Sequence, residues 1–474
     1  MTPFRTLAVS AAPLALAAAA LAFAGAAIPA PLLAREAPPA PGAPKPFTLP
    51  PLTEFTLANG VKVTMAQHGN VPKVTILATV RTGNIDDGEN VWLADLTGGL
   101  MQKGAGGRNA SQLAEAAAGM GGSLALATGV DAVTASIDVL SESGVEAVGL
   151  VADVLQRPDL KPEELEKVRA DMLRNLMVAK STPGSIASEA FLGALYPAHP
   201  YGRVFPSAEQ LSGYTLEQVR GFHSANFGAA RTRIYVFGRF EPVAMRAAVE
   251  KAFGGWKAGA APTSLPVPRD AGPKVMLIDR PGAPQSTVWI GKRVSKSGYD
   301  LTFPAASTLL GGYFSSRITR NIREDKGYTY SPSATITRRV QVSDWIEDAD
   351  ITSEATGPAI AEIFKEIRRM QDTLPTDAEV KGIRNYLSGT FALGLSTRYS
   401  LAGALSNLDV LGLGAEYLTG YVGRASALTA TDFQAAARRE LPVDGMSVVV
   451  VGPMETVRPQ LGAVPEIASR LPAQ

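Results

Sequence analysis

The chain of 474 residues contains no cysteine and only three histidines, His68, His199 and His223. The first absence excludes disulfides, thiolate-bound zinc, a cysteine nucleophile and a lipid-bearing cysteine behind a signal. It fits an oxidising compartment. The second restricts imidazole chemistry. No two of the histidines lie within four residues of one another, so no pair can share a helical turn. A Ser/His/Asp set cannot be argued either, because hydroxyls are everywhere and histidines are few. An excess of either charge is also missing: Lys and Arg number 45, Asp and Glu 44. That balance gives no field for steering to nucleic acid or anionic lipid. After the N-terminal stretch, no segment approaches the ~20 uncharged apolar residues of a membrane span.

What is present is ordinary globular material. Hydrophobic residues make up 46% and charged residues 19%, and the length favours two to four domains. The N-terminus, "MTPFRTLAVSAAPLALAAAALAFAGAAIPAPLLA", places Arg5 before a long Ala/Leu run that ends in small residues. Residues 1–34 are therefore expected to be a secretory signal peptide, cleaved after Ala27 or near Ala34. A retained anchor is the alternative; weakly apolar alanine and Pro13 count against it. Residues 35–51 read as an extended Pro-rich linker. The mature protein is expected to be periplasmic or secreted, with no membrane contact after cleavage.

From Phe47 onward the chain repeats an order of elements. "VTILATV" (74–80) is a buried-strand run, and "AVTASIDVL" (132–140) alternates. A helical stretch from about Asn90 to Lys103 lies between them. "SESGVEAVGLVADVLQ" reads as a helix with a serine cap, and "KPEELEKVRADMLRNLMVAK" as a helix with Pro in its first turn. "RTRIYVFGRF" (231–240) is a strand ended by Gly238. The second part follows suit. "STVWIGKRV" (286–294) matches the first strand, and "TFPAASTLLGGYFSSRIT" (302–319) is helix-like with a glycine pair. "GYTYSPSATITRRV" and "DWIEDADI" form a hairpin. "TDAEVKGIRNYLSGTFALGL", "LTATDFQAAARREL" and "MSVVVVGPM" repeat the later elements of the first part. The pattern predicts an α+β protein of two homologous halves, residues 52–256 and 275–474, joined by the Pro/Gly/Ala-rich linker 257–274.

Two stretches carry a family resemblance. "YPAHPYGRVFPSAEQLSGYTLEQVRGFHSANFGAARTRIYVFGRF" (196–240) resembles the end of the first half of pitrilysin/insulinase-type zinc peptidases. "GGYFSSRITRNIREDKGYTYSPSA" (311–334) resembles the signature of their second half. The resemblance spans essentially the whole mature chain. It implies a clam-like pair of α+β halves and a helix in the first half carrying H-x-x-E-H, whose two histidines ligate zinc while the glutamate activates water. Set in register through "MQKGA" (101–105), that motif falls on Asp95, Leu96, Thr97, Gly98 and Gly99. Asp95, Gly98 and Gly99 are thus degenerate zinc-motif positions, and no metal is expected in this chain. The family's further glutamate ligand would fall near Asp171, with Met172 an equally good match.

The second signature is intact. The resemblance implies that Arg323 and Tyr330, seven apart, reach a substrate carbonyl, with Gly311, Gly312 and Tyr328 in substrate contact. The plainer readings stay open: Arg323 paired with Glu324 or Asp325 at the surface, Tyr330 in a strand core, Tyr328 taking the tyrosine's role, and the glycine pair serving close packing. Glu347 falls in a strand expected at a sheet edge, where a peptide would add as a strand or water would cover it. His199 and His223 read as structural. "KGAGGR" (103–108) is no phosphate loop, since no strand leads into it and no "GK[ST]" follows.

The function implied by the resemblance is that of the zinc-free subunit of a heterodimeric periplasmic metallopeptidase. It would be inactive alone and would work beside a homologous partner subunit that holds the Zn and a peptide substrate. The alternative is an inactive scaffold or peptide-binding protein of the same fold in the cell envelope. A small-molecule periplasmic binding protein is a third reading, with no ligand-specific cluster to support it.

Overall fold

The computed structural model describes residues 45–267, 269–296 and 300–473, all in one compact unit. The expected signal peptide, and the linker as far as residue 44, lie outside the described residues. Among the described residues no helix is long and apolar enough to cross a membrane.

Among the described residues, thirteen strands form two main sheets and one hairpin. The first sheet holds β1 (Thr53–Thr56), β2 (Lys62–Gln67), β3 (Lys73–Val80), β6 (Leu124–Thr128), β7 (Val133–Leu140) and β8 (Thr232–Gly238). Its order is β1-β2-β8-β3-β7-β6. A short hairpin pairs β4 (Gly104–Ala105) with β5 (Arg108–Asn109). The second sheet holds β9 (Val275–Asp279), β10 (Gln285–Val294), β11 (Ser333–Arg338), β12 (Ser343–Thr352) and β13 (Ser447–Gly452), in the order β11-β12-β10-β13-β9. Apart from β1, the two sheets repeat one topology. A parallel pair, β2 with β8 or β9 with β13, leads into antiparallel strands β3-β7-β6 or β10-β12-β11. The helices repeat as well. Pro162–Ser181 corresponds to Asp377–Gly394. Leu216–Asn226 corresponds to Ala430–Glu440, and each of these two begins with a threonine capping box.

The central strands explain the continuous apolar runs. β3 is buried at every residue after Lys73, and β13 is buried throughout. A strand covered on both faces needs no polar alternation. One face is covered by helices of the same half. The other is covered by a helix from the opposite half. The helix Pro183–Leu195 lays Ala187, Phe191 and Leu195 on Ile346, Val449 and Val451 of the second sheet. Reciprocally, the helix Arg398–Leu411 lays Leu401, Leu405 and Leu408 in a core shared with Leu77, Tyr235 and Phe237 of the first. Each such side chain, fully buried, contributes about 1.5–3 kcal/mol.

Polar contacts pin this exchange. Thr79 Oγ1 and Ser406 Oγ share a buried hydrogen bond of 2.6 Å. The Tyr196 hydroxyl and Arg339 Nε both donate to Asp344 Oδ1, at 2.8 and 3.0 Å. Tyr201 donates to Asp131 at 2.8 Å and lies under the Arg339 guanidinium. The His-Pro-Tyr-Gly stretch is therefore a structural latch. His199 Nδ1 accepts from the Tyr201 amide, and a Cβ on Gly202 would fall 2.4 Å from the Tyr196 carbonyl.

Three local expectations are corrected. Residues 302–319 do not form one helix. A short helix, Thr302–Ser307, widens into π-helical turns over Thr308–Gly312, and the chain leaves them extended at Tyr313. Glu347 is not on an edge: β12 lies between β10 and β11, and β11 is the edge. The acids of "DWIEDADI" mimic a solvated face, but Asp344 is paired inside the protein and Glu347 faces the core. Ser143 precedes the helix Gly144–Gln156 without a side-chain capping bond.

The Asp344 latch yields a stability prediction. Asp344→Ala leaves Arg339 buried without its carboxylate and is expected to cost about 3 kcal/mol in urea unfolding. Tyr196→Phe removes one hydrogen bond and is expected to cost about 1 kcal/mol.

Candidate functional site

The helix Leu93–Met101 holds the positions that the resemblance assigns to zinc. Its start is fixed by Asp87, whose carboxylate accepts from the backbone amides of Trp92 (2.9 Å) and Ala94 (2.8 Å). Burial pushes the Asp87 pKa up to about 7, against the opposing pull of its Asn84 hydrogen bond. Asn84 Nδ2 bridges the acids, donating to Asp87 at 3.0 Å and to Asp95 at 2.6 Å. Asp95 is half-buried, and burial raises its pKa as well. It is neither the helix cap nor freely solvated.

The two glycines of this helix do a packing job. A Cβ on Gly98 would lie 2.4 Å from Thr128 Oγ1 and 3.1 Å from Leu126 Cδ2 of β6. A Cβ on Gly99 would lie 2.8 Å from Val168 Cγ1 of the helix Pro162–Ser181. The helix is thus wedged between β6 and that neighbour. Asp171 is exposed and pairs with Arg174. His199 is held in the latch. His223 Nε2 lies 2.9 Å from the Leu155 carbonyl, and its ring stacks on Phe227. These residues do not fit zinc: one carboxylate, already hydrogen-bonded, and two glycines make no tetrahedral donor set. Among the described residues, no group of three or more His, Asp or Glu is placed to hold a metal ion.

The segment that bears the second-half signature is built differently. "TRNIRED" forms π-helical turns, Thr319–Asp325, a conformation that is rare and often found at functional sites. Gly327, at φ 65°, closes them: its amide donates to the Arg323 carbonyl at 3.1 Å, and the Tyr328 amide donates to the Ile322 carbonyl at 2.8 Å. This reversal returns the chain over its own helix. Tyr328 then packs against the second core, while Tyr330 turns outward and is 78% exposed. Arg323 and Tyr330 do meet, with the guanidinium carbon 4.9 Å from the Tyr330 ring centre. On its other side lies Phe314, 4.4 Å from the ring centre and 67% exposed. Arg323 Nε is 3.2 Å from Glu324, so the expected surface pairing is present as well. Among the described residues no oxygen accepts from the two terminal nitrogens of Arg323. A half-buried guanidinium lying against two rings, with no acceptor on those nitrogens, is suited to an oxygen ligand.

The glycine pair divides. Gly312 is exposed, whereas Gly311 is buried against Glu347. A Cβ on Gly311 would lie 2.3 Å from Glu347 Oε2 and 2.7 Å from Ala334 Cβ. Glu347 is 1% exposed, and neither carboxyl oxygen has a hydrogen-bond partner among the described residues. Burial, and then the neighbouring Asp348, push its pKa well above the usual carboxylate range. Asp348 is itself pushed up to about 6 by burial and Asp350. Sequence reasoning missed Phe314 and the Asp87–Asn84–Asp95 chain. Nothing in the local pattern marks Phe314 as outward-facing, and a cap six residues ahead of its helix has no spacing signature.

Two family models match the chain. One, described as Insulinase (Peptidase family M16), covers residues 62–205; the other, described as Peptidase M16 inactive domain, covers residues 213–387. An uncharacterized zinc protease of Mycobacterium tuberculosis is 27% identical over 367 residues, which is 73% of this chain and 82% of that protein. Among solved structures, a peptidase M16 inactive domain from Pseudomonas fluorescens aligns with a TM-score of 0.77 at 22% identity. That match covers 85% of this chain and 98% of the other. The periplasmic protease PqqL from Escherichia coli aligns at 0.73 and 16%, covering 88% of this chain and 47% of that one. At these identities the two structures establish the fold.

Two predictions follow from the packing. Restoring the motif by Asp95→His, Gly98→Glu and Gly99→His is expected to give no stoichiometric zinc by metal analysis. The two added side chains strike β6 and Val168 and are expected to cost about 2 kcal/mol of stability. The second concerns Glu347. Its folded pKa is raised, so the unfolded chain ionises first as pH rises. Stability therefore falls from the ordinary glutamate range up through the raised value, then levels. Glu347→Gln is expected to remove that part of the slope and to be more stable than the wild type at neutral pH, as read by urea unfolding across pH.

Proposed function

Because the chain belongs to the insulinase family of peptidases, family M16, we propose that it is the subunit without zinc in a two-chain metallopeptidase. A homologous partner subunit holds the zinc, the two histidines and the glutamate base. This chain supplies Arg323 and Tyr330, and Gly311, Gly312 and Tyr328 border the bound peptide. A guanidinium and a phenol aimed at a peptide carbonyl stabilise the oxyanion that forms as the bond is attacked. The observation that carries the reading is a contrast between the segments that bear the two signatures. The helix at the zinc positions is closed by packing through Gly98 and Gly99. The Arg323 guanidinium is half-buried against two exposed rings, and no oxygen among the described residues accepts from its terminal nitrogens.

The chain is exported by residues 1–34 and acts in the periplasm or outside the cell. Residues 52–256 and 275–474 are its two halves, joined by 257–274. The family match and the likeness in fold to a periplasmic protease support that setting.

The test is reconstitution. The chain is purified alone and with a homologous chain bearing H-x-x-E-H, and each is assayed on an unstructured peptide. The lone chain is expected to be inactive and the pair active. In the pair, Arg323→Ala is expected to lower kcat by about 10²- to 10³-fold, and Tyr330→Phe by less. Full activity of the pair with Arg323→Ala would overturn the reading in favour of a scaffold.

A further inference from the structure

Glu347 has no task in that reading, yet its placement is costly. It stands on β12 opposite Ala334 of β11 and Ile290 of β10. Its carboxyl is closed off from solvent, both oxygens lack partners, and no Lys, Arg or His pairs with it among the described residues. A buried acid in that state is disfavoured against glutamine or an apolar residue of similar size, so its presence calls for a reason. What covers it is unusual too. Gly311 lies directly against Oε2, where any side chain would take the carboxyl's place, and the next residue, Gly312, is exposed. The covering segment, Thr308–Gly312, is π-helical. The acid thus sits beneath a stretch of main chain that has no side chains at its exposed end.

Its position along the sheet matters as well. Thr329 bridges to Ile351, and Ala334 pairs with Glu347. Tyr330 lies in a bend three residues before β11 and four before Ala334, so it stands at most about 14 Å along the chain from the residue opposite Glu347. That is a span an extended peptide covers with four residues.

We propose that Glu347 is a specificity-determining residue: a receptor, covered by the Gly311–Gly312 turn, for one lysine or arginine side chain of a peptide whose backbone lies at Arg323 and Tyr330. This rests on the peptide-binding reading above. The incoming cation supplies the partner the acid lacks. The turn moves aside to admit it, which residues without Cβ atoms allow. Peptides with a neutral or acidic residue at that place leave the receptor shut.

The test is a binding measurement on the full chain, without a zinc partner. The probes are fluorescein-labelled Ala/Ser nonapeptides carrying one lysine, scanned through the nine positions, each beside its norleucine counterpart. At one register the lysine peptide is expected to bind about ten-fold more tightly than the norleucine peptide, as a charged hydrogen bond allows. Glu347→Gln is expected to abolish that preference while leaving the norleucine affinity unchanged. Gly311→Ala, whose methyl group takes the carboxyl's place, is expected to abolish the lysine preference as well. Arg323→Ala is expected to weaken both peptides alike. Equal affinity for lysine and norleucine at every register, or a preference that survives Glu347→Gln, overturns the inference while the peptide-binding reading stands. Failure of every peptide to bind, or binding indifferent to Arg323→Ala, overturns both.

Discussion

Each half of this protein has a sheet whose central strands are apolar on both faces, and a half cannot cover both faces with its own helices. β3 and β13 make the need concrete, since they are buried almost from end to end. The remedy is the exchange of two helices, Pro183–Leu195 and Arg398–Leu411, each lying on the other half's sheet. The rest of the architecture follows. The halves cannot separate without exposing two cores, and the polar groups at the crossing must be paired because they are buried with it. The Tyr196–Asp344–Arg339 cluster and the His-Pro-Tyr-Gly latch meet most of that demand, leaving Asp344 Oδ2 and His199 Nε2 buried without a hydrogen-bond partner among the described residues.

Within this frame the segments that bear the two signatures differ. In the first, α-helical residues Leu93–Met101 are pressed between β6 and a neighbouring helix, and glycine is what lets them fit. Room for metal ligands has been given to packing. In the second, π-helical turns and the Gly327 reversal bring Arg323 out between Phe314 and Tyr330. A duplicated fold has kept its frame and changed its local chemistry. One copy is filled with backbone contacts; the other displays a cation.

Much of this was legible in the sequence. The repeated order of strands and helices follows from period and capping, and strands such as "VTILATV" declare their burial by lacking polar alternation. The intact Arg/Tyr spacing, and the missing imidazoles, need only a count of residues. Other features were hidden for identifiable reasons. "DWIEDADI" resembles a half-solvated strand because Asp344, Asp348 and Asp350 fall on one face, yet Asp344 is paired with Arg339 across the hairpin and with Tyr196 from the other half. The helix expected through residues 302–319 fails at a glycine pair and at π-helical turns, which leave no periodic trace. Phe314 gains its place from a turn that only the folded chain defines. Asp87 caps a helix from across a loop, so no capping pattern announces it.

The account stands or falls on where Arg323 points when a peptide is engaged. The most direct measurement is a structure of this chain with a homologous zinc-bearing subunit whose glutamate base is replaced by glutamine, and with a peptide trapped between them. The account predicts a terminal nitrogen of Arg323 about 3 Å from the oxygen of the scissile carbonyl. A peptide seated at the zinc with Arg323 still turned to solvent, beyond about 6 Å from that oxygen, would contradict it.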